Sequence, residues 1–212
     1  MSGQDSANGP RAPKPYNPLE KRRLAESIVR ELLARPAEPL PPPELFVGAG
    51  IYLIYYTGEH ILYKPLAALN NTEPTHPIYV GQAAGPGARK GGFDEGTKQP
   101  ALFNRLSQHS GSLRQATNLD IEDFRCRYLV VDDIWIGLAE SLLIERYRPL
   151  WNVVVDGFGN HDPGSGRHQG KRPNWDTLHP GRAWASRLQP STLSLVAIEQ
   201  RVRAYLLALS QS

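Results

Sequence analysis

The 212-residue sequence predicts an α+β fold: a small sheet core with helical extensions at its N- and C-terminal ends. Three observations carry that expectation. Short runs at 50–56 (GIYLIYY), 78–81 (IYVG) and 124–132 (FRCRYLVVD) are rich in β-branched and aromatic residues and lie among turn signals. Longer stretches around them repeat apolar residues at helical spacing. Apolar content of 40% and charged content of 21% suit a folded core and exclude wholesale disorder.

Taken in order, residues 1–16 are polar and rich in Pro and Gly, the composition of a disordered tail. Residues 17–45 begin with a helix. Asn17 is its candidate N-cap before Pro18, and Leu24, Ile28, Leu32 and Leu33 form its apolar stripe. The run RPAEPLPPPEL then stops the helix, since consecutive prolines favour an extended linker. The core is expected over 46–156. Its first two strands are separated by an insertion at 61–75 without an assignable pattern. A glycine-rich stretch at 83–98 follows, lacking the Gly-Lys-Ser/Thr ending of a phosphate-binding P-loop. Residues 99–110 read as a helix with Leu102, Phe103 and Leu106 inward, and 133–147 as a strongly apolar helix stopped by Arg148-Pro149. Residues 157–190 are turn-rich, and 191–212 hold a capped amphipathic helix with Leu195, Ile198, Val202, Tyr205, Leu206 and Leu209 on one side.

Charge is unevenly spread. Residues 36–160 carry ten Lys/Arg against fourteen acids, whereas 161–190 carry five (Arg167, Lys171, Arg172, Arg182, Arg187) against Asp162 and Asp176. An acidic centre between basic flanks suits a polyanionic partner, although scattered solubilising charge gives the same totals. The lone Cys126 excludes an internal disulfide framework. The chain starts unlike a signal peptide and has no apolar run of membrane-spanning length, so a cytoplasmic protein is expected.

A few residues look chemical. Arg105 and His109 are four apart on a predicted helix and share a face, as a solvated pair also would. Glu140 falls among Ile136, Leu143, Ile144 and Tyr147, and a carboxylate in an apolar stripe needs a metal or a cation, with Arg105 and Arg146 the candidate partners. Glu145 lies on another, solvated face. Tyr52 and Tyr79 sit beside glycines in two strands, but Tyr55, Tyr56 and Tyr63 show that tyrosine is ordinary there. Asn152, shortly after Pro149, suits a turn-stabilising amide. Cys126, His161, His168 and His179 match no zinc spacing.

In combination these residues are specific. G-I-Y, then Y-V-G, then Arg-x-x-x-His, a helical Glu and P-L-W-N, in that order over 50–155, resemble the GIY-YIG nuclease family. YVG replaces YIG, and the two motifs stand farther apart than a tight hairpin allows. The strings GFGNH (157–161) and HPGRAW (179–184) resemble the type II restriction endonucleases of that family, in the subgroup cutting CCGCGG.

The resemblance implies a three-stranded antiparallel sheet flanked by helices. It implies that Tyr52, assisted by His109, deprotonates the attacking water and that Tyr79 binds that water or the phosphate. Arg105 would neutralise phosphate charge, Glu140 would bind one Mg²⁺ (Mn²⁺ being able to substitute), and Asn152 would fix local geometry or contact the phosphate. Double-stranded DNA is the implied substrate, with Arg167, Lys171, Arg172, Arg182 and Arg187 as candidate DNA contacts, because arginine reads guanine through a bidentate bond. A palindromic site implies a homodimer on DNA, and a methyltransferase acting on the same site is the implied functional partner. A homing or repair nuclease, or a DNA-binding protein without catalysis, are the rival readings.

Overall fold

The computed structural model describes residues 20–84, 99–167 and 169–210. The expected tail at 1–16, the Asn17 cap and nearly all of the glycine-rich stretch lie outside them. The elements run α1 (Lys21–Ala34), β1 (Glu38–Pro39), β2 (Gly50–Tyr56), α2 (Lys64–Ala68), β3 (Tyr79–Ala83), α3 (Ala101–Gln115), β4 (Phe124–Val130), α4 (Asp133–Tyr147), α5 (Leu150–Val153), α6 (Asn174–Leu178) and α7 (Leu195–Leu209). Single 3₁₀ turns lie at 121–123, 165–167 and 185–187.

The sheet is antiparallel with order β1-β4-β2-β3. Among the described residues it has four strands, not the three that the resemblance implies. The extra one comes from the Pro-rich linker, whose extended backbone lets Glu38 and Pro39 pair with Cys126 and Arg125 at the sheet margin. Proline is tolerated at such a margin because no partner there needs its missing N–H. The linker is therefore a packed part of the domain, with Leu40 buried.

The central strand β2 is buried on both sides, which is why its sequence is continuously apolar and aromatic rather than alternating. Successive side chains still point to opposite faces. Ile51, Leu53 and Tyr55 pack with Val29 and Leu32 of α1 and with Ile136, Ala139 and Leu143 of α4. Tyr52, Ile54 and Tyr56 join a larger cluster containing Leu102 and Leu106 of α3, Trp151, Trp175 and the Ile198-Val202-Leu206 stripe of α7. Leu195, placed on that stripe by the sequence, is 45% exposed instead. The insertion at 61–75 holds α2 and a turn organised by Asn70, whose amide bonds Tyr56 O, His76 O and the N–H groups of Thr75 and His76. Among the described residues no helix is long and apolar enough to cross a membrane.

α4 ends where the sequence places its stop. Arg148 adopts φ 44°, the left-handed conformation that closes a helix, and its carbonyl accepts from the Tyr205 hydroxyl of α7. The chain then turns through Pro149 into α5, which brings Asn152 against β3.

Candidate active site

The site is built where β2, β3 and α3 meet. Tyr52 at the centre of β2 pairs with Gly81 of β3, and a Cβ on that glycine would lie 2.3 Å from the phenol oxygen. Only glycine leaves room there. Tyr79, two residues earlier on β3, points to the same side of the sheet, its ring centroid 6.2 Å from that of Tyr52. The helical i, i+4 spacing on α3 aims Arg105 and His109 at the two phenols.

The Tyr52 hydroxyl lies 2.5 Å from His109 Nε2 in the interior. Burial, and after it the neighbouring Tyr79, push the Tyr52 phenol far above its usual range, against the pull of Arg105. Burial raises Tyr79 too, again opposed by Arg105. Burial, followed by the charges of Arg105, His161 and Arg182, holds the His109 imidazole well below its ordinary value. The pair is thus a protonated phenol beside a neutral imidazole. The guanidinium of Arg105 acts on both phenols, lowering each against the effect of burial.

Glu140 projects from α4 and is half-buried. Burial raises its carboxyl, while a hydrogen bond with the Gln82 side chain and the charge of Arg105 act the other way. Its charge acts on Tyr52 and Tyr79, raising both phenols. Glu145 is on the opposite side, exposed and 3.6 Å from Arg22 of α1. The Glu140 carboxylate, to which the Gln82 amide N–H donates, is a hard oxygen donor of the kind that suits Mg²⁺, an ion that keeps several waters and takes further oxygens from phosphate. The described residues include no group of three or more His, Cys, Asp or Glu able to cage an ion. A zinc set is accordingly unsupported: Cys126 is buried under β1 with its thiol pushed up to about 12 by burial, and His168 lies outside the described residues.

Asn152 does not reach into this opening. Its amide accepts from Val80 N–H and donates to Val80 O, both at 2.8 Å, completing the backbone bonds of β3 beside Tyr79. Of its two expected roles, the geometry supports local positioning.

Residues 157–161 form a strap over the cluster, and individual assignment from sequence missed it. Phe158 stacks on His109 at 4.6 Å and 19°, and lies edge-on to Tyr79. Gly159 O accepts from Arg105 Nη2 at 2.9 Å, and Arg105 Nη1 meets His161 Nε2. A Cβ on Gly159 would fall 2.7 Å from the Tyr79 hydroxyl. The GFGNH string itself was the signal; its glycines mark this close approach.

The basic candidates separate. Arg167, Lys171 and Arg187 are exposed, and an open groove of about 530 Å³ runs from Gly159 and His161 past Arg167, Lys171 and Trp184. Arg172 is half-buried, and its Nε donates to Ala185 O. Arg182 is a correction: at 2% exposure, with its guanidinium paired to Asp176 inside the protein, it is not placed to read a base.

One family model, described as the Eco29kI GIY-YIG domain, matches residues 44–206. No curated protein matches the chain.

Proposed function

Because the chain belongs to the Eco29kI GIY-YIG family of restriction endonucleases, and is a nuclease acting on DNA on that ground, we propose that it is a type II enzyme. In this reading it hydrolyses both strands of duplex DNA at a short GC-rich palindrome, CCGCGG, with one Mg²⁺ per site. The observation that carries the hydrolytic reading is the buried Tyr52–His109 hydrogen bond, with Tyr79, Arg105 and Glu140 gathered around it.

The chemistry follows from the protonation states. With the His109 proton on Nδ1, the Tyr52 O–H donates to Nε2 and its oxygen keeps lone pairs for an attacking water. A phenol this far above its usual range does not ionise alone. Tyr52 therefore takes the water's proton as it passes its own to His109. Burial, and after it the uncompensated charge of Arg105, make His109 a poor base in the free protein. A phosphate bound at Arg105 offsets that positive field and raises the basicity of His109 when substrate is present. Tyr79 orients the water, and Arg105 neutralises charge developing on the phosphate. Glu140 is the residue that would hold Mg²⁺, whose charge, when bound, polarises the phosphate and stabilises the leaving oxygen.

The groove beside His161 supports a DNA path, since exposed Arg167 and Lys171 line it together with Trp184. A palindromic target calls for two copies, and α7 offers a surface for pairing: Val196 and Leu207 are 61% and 62% exposed and share a face. A methyltransferase of the same specificity completes the reading.

The test is digestion of plasmid DNA in Mg²⁺ followed by sequencing of the ends. Ends confined to CCGCGG support the reading. Scattered ends indicate a non-specific nuclease, and specific binding without cleavage indicates a DNA-binding protein.

A further inference from the structure

Arg182 uses all five of its N–H groups. Nε and Nη2 donate to the two carboxylate oxygens of Asp176 at 2.6 and 2.5 Å. Nη1 donates to Phe158 O (3.1 Å) and Asn160 O (3.0 Å), and Nη2 to Gly157 O (2.9 Å). The guanidinium lies 4.6 Å from the Trp175 ring and 4.7 Å from that of Trp184. A buried ion pair is weak evidence for stability, because apolar residues of similar volume do as well or better. What apolar residues cannot do is hold three carbonyls at fixed positions. A guanidinium can, because its donors form a rigid planar fork.

Those three carbonyls belong to the strap, and the strap touches the catalytic cluster through Phe158 on His109, Gly159 O on Arg105 and His161 on Arg105. It makes no helix or strand of its own. Gly157 has φ 102° and abuts Pro173, just before α6, the helix that carries Asp176. The carboxylate is thus anchored by an element outside the strap.

We propose that Arg182, held by Asp176, is a positioning residue for the reaction: it fixes the strap so that Phe158 sets the ring of His109 and Gly159 sets the guanidinium of Arg105. The inference rests on the nuclease reading for its kinetic part alone. The groups facing His109 are Tyr52 from β2, Tyr79 from β3, Arg105 from its own helix, His161 from the strap and Arg182 behind it. With the strap released, water reaches the imidazole and it regains basicity.

The test compares wild type with the double variant Arg182→Met/Asp176→Leu, which fills the volume without donors, and with Phe158→Leu, which leaves the clamp intact. Each is examined by thermal melting, by NMR titration of the His109 ring without DNA, and by cleavage of a CCGCGG duplex in Mg²⁺. The expected result is a folded double variant whose His109 titrates toward an ordinary value near ~6.5. Its kcat falls by about ten- to a hundredfold, the scale of a misplacement near 1 Å, with little change in KM. Phe158→Leu moves both readouts in the same direction. A folded double variant with wild-type titration and kcat overturns the proposal. Should it fail to fold, Phe158→Leu decides, and a wild-type titration there also overturns it. If wild-type protein cuts no DNA, the nuclease reading fails, while the His109 titration still judges the strap.

Discussion

The phenol of Tyr52 occupies the space where Gly81 has no side chain. The two residues face each other across β2 and β3, with 2.3 Å between the hydroxyl and the position a Cβ would take. The glycine of the second motif is there for the tyrosine of the first. Replacing Gly81 by alanine must push the phenol off His109. Cleavage is expected to fall by about a hundredfold, on the scale of a 1 Å displacement, with duplex binding kept. Single-turnover kinetics beside a binding assay in Ca²⁺ checks this; a Gly81→Ala protein cutting at wild-type speed would show that the contact is idle.

Glu140→Gln keeps side-chain shape and removes the charge. The mutant is expected to melt near wild type and to bind its duplex at least as well, having lost repulsion toward phosphate. Cleavage should drop by about a thousandfold or more, since several kcal/mol of charge stabilisation depend on the ion that this carboxylate would hold. Glu145→Gln, at the exposed contact with Arg22, serves as the control and should behave as wild type. Near-normal turnover by a well-folded Glu140→Gln protein would falsify the metal assignment.

Arg167 and Lys171 line the groove and are the exposed candidates there for DNA contact. If Arg167 reads a guanine, Arg167→Ala loses about 1–3 kcal/mol of discrimination at that position. A phosphate contact instead weakens every sequence alike and lowers the salt slope, the outcome expected for Lys171→Ala. Binding to cognate and single-mismatch duplexes over a salt series separates the two. Unaltered discrimination and salt slope in both mutants would move recognition elsewhere.

Acid should unfold the protein through its buried histidines. His179 bonds the Tyr63 hydroxyl at 2.6 Å and Asn118 Oδ1 at 2.9 Å, and burial, followed by the charge of His60, depresses it to about 3. Between roughly pH 6.5 and pH 3 the unfolded chain binds a proton there that the folded chain does not. That contribution is complete above about pH 6.5 and is lost on acidification, at about 1.4 kcal/mol per pH unit. His109 has the same sign. Urea unfolding at pH 7, 6 and 5 should show the decline, and His179→Asn should flatten it by one proton. A parallel slope in that mutant would contradict the linkage.

Two copies per duplex are expected on the palindromic reading. Sedimentation of the protein with a short CCGCGG duplex should give a 2:1 complex, and Val196→Glu/Leu207→Glu on the exposed face of α7 should weaken it. A 1:1 complex cutting both strands in one encounter would count against the dimer.

Much of the fold was legible because period and punctuation agree locally. GIYLIYY and DIWIGLAESLLIERY occupy the expected strand and helix to the residue. The fourth strand was not, because two residues of a proline run carry no alternation. Helical spacing put Arg105 and His109 on one face, whereas the roles expected of Tyr52, Tyr79 and Glu140 came from the resemblance and from no local pattern. Arg182 was misread for a physical reason. Charge in a sequence suggests a solvated or ligand-facing group, and nothing local reveals that Asp176, Trp175 and three distant carbonyls will enclose it. The strap was hidden likewise, its contacts being between segments some fifty residues apart.

The amide of Asn152 has a consequence beyond catalysis. By occupying both polar groups of Val80, while the Trp151 backbone N–H takes Ile78 O, it covers that stretch of the sheet margin against a foreign strand. At the other margin β1 is two residues long and includes Pro39. Both borders are blunted against edge-to-edge aggregation, so the proposed dimer on DNA would join through helices and loops, not through a continuous sheet.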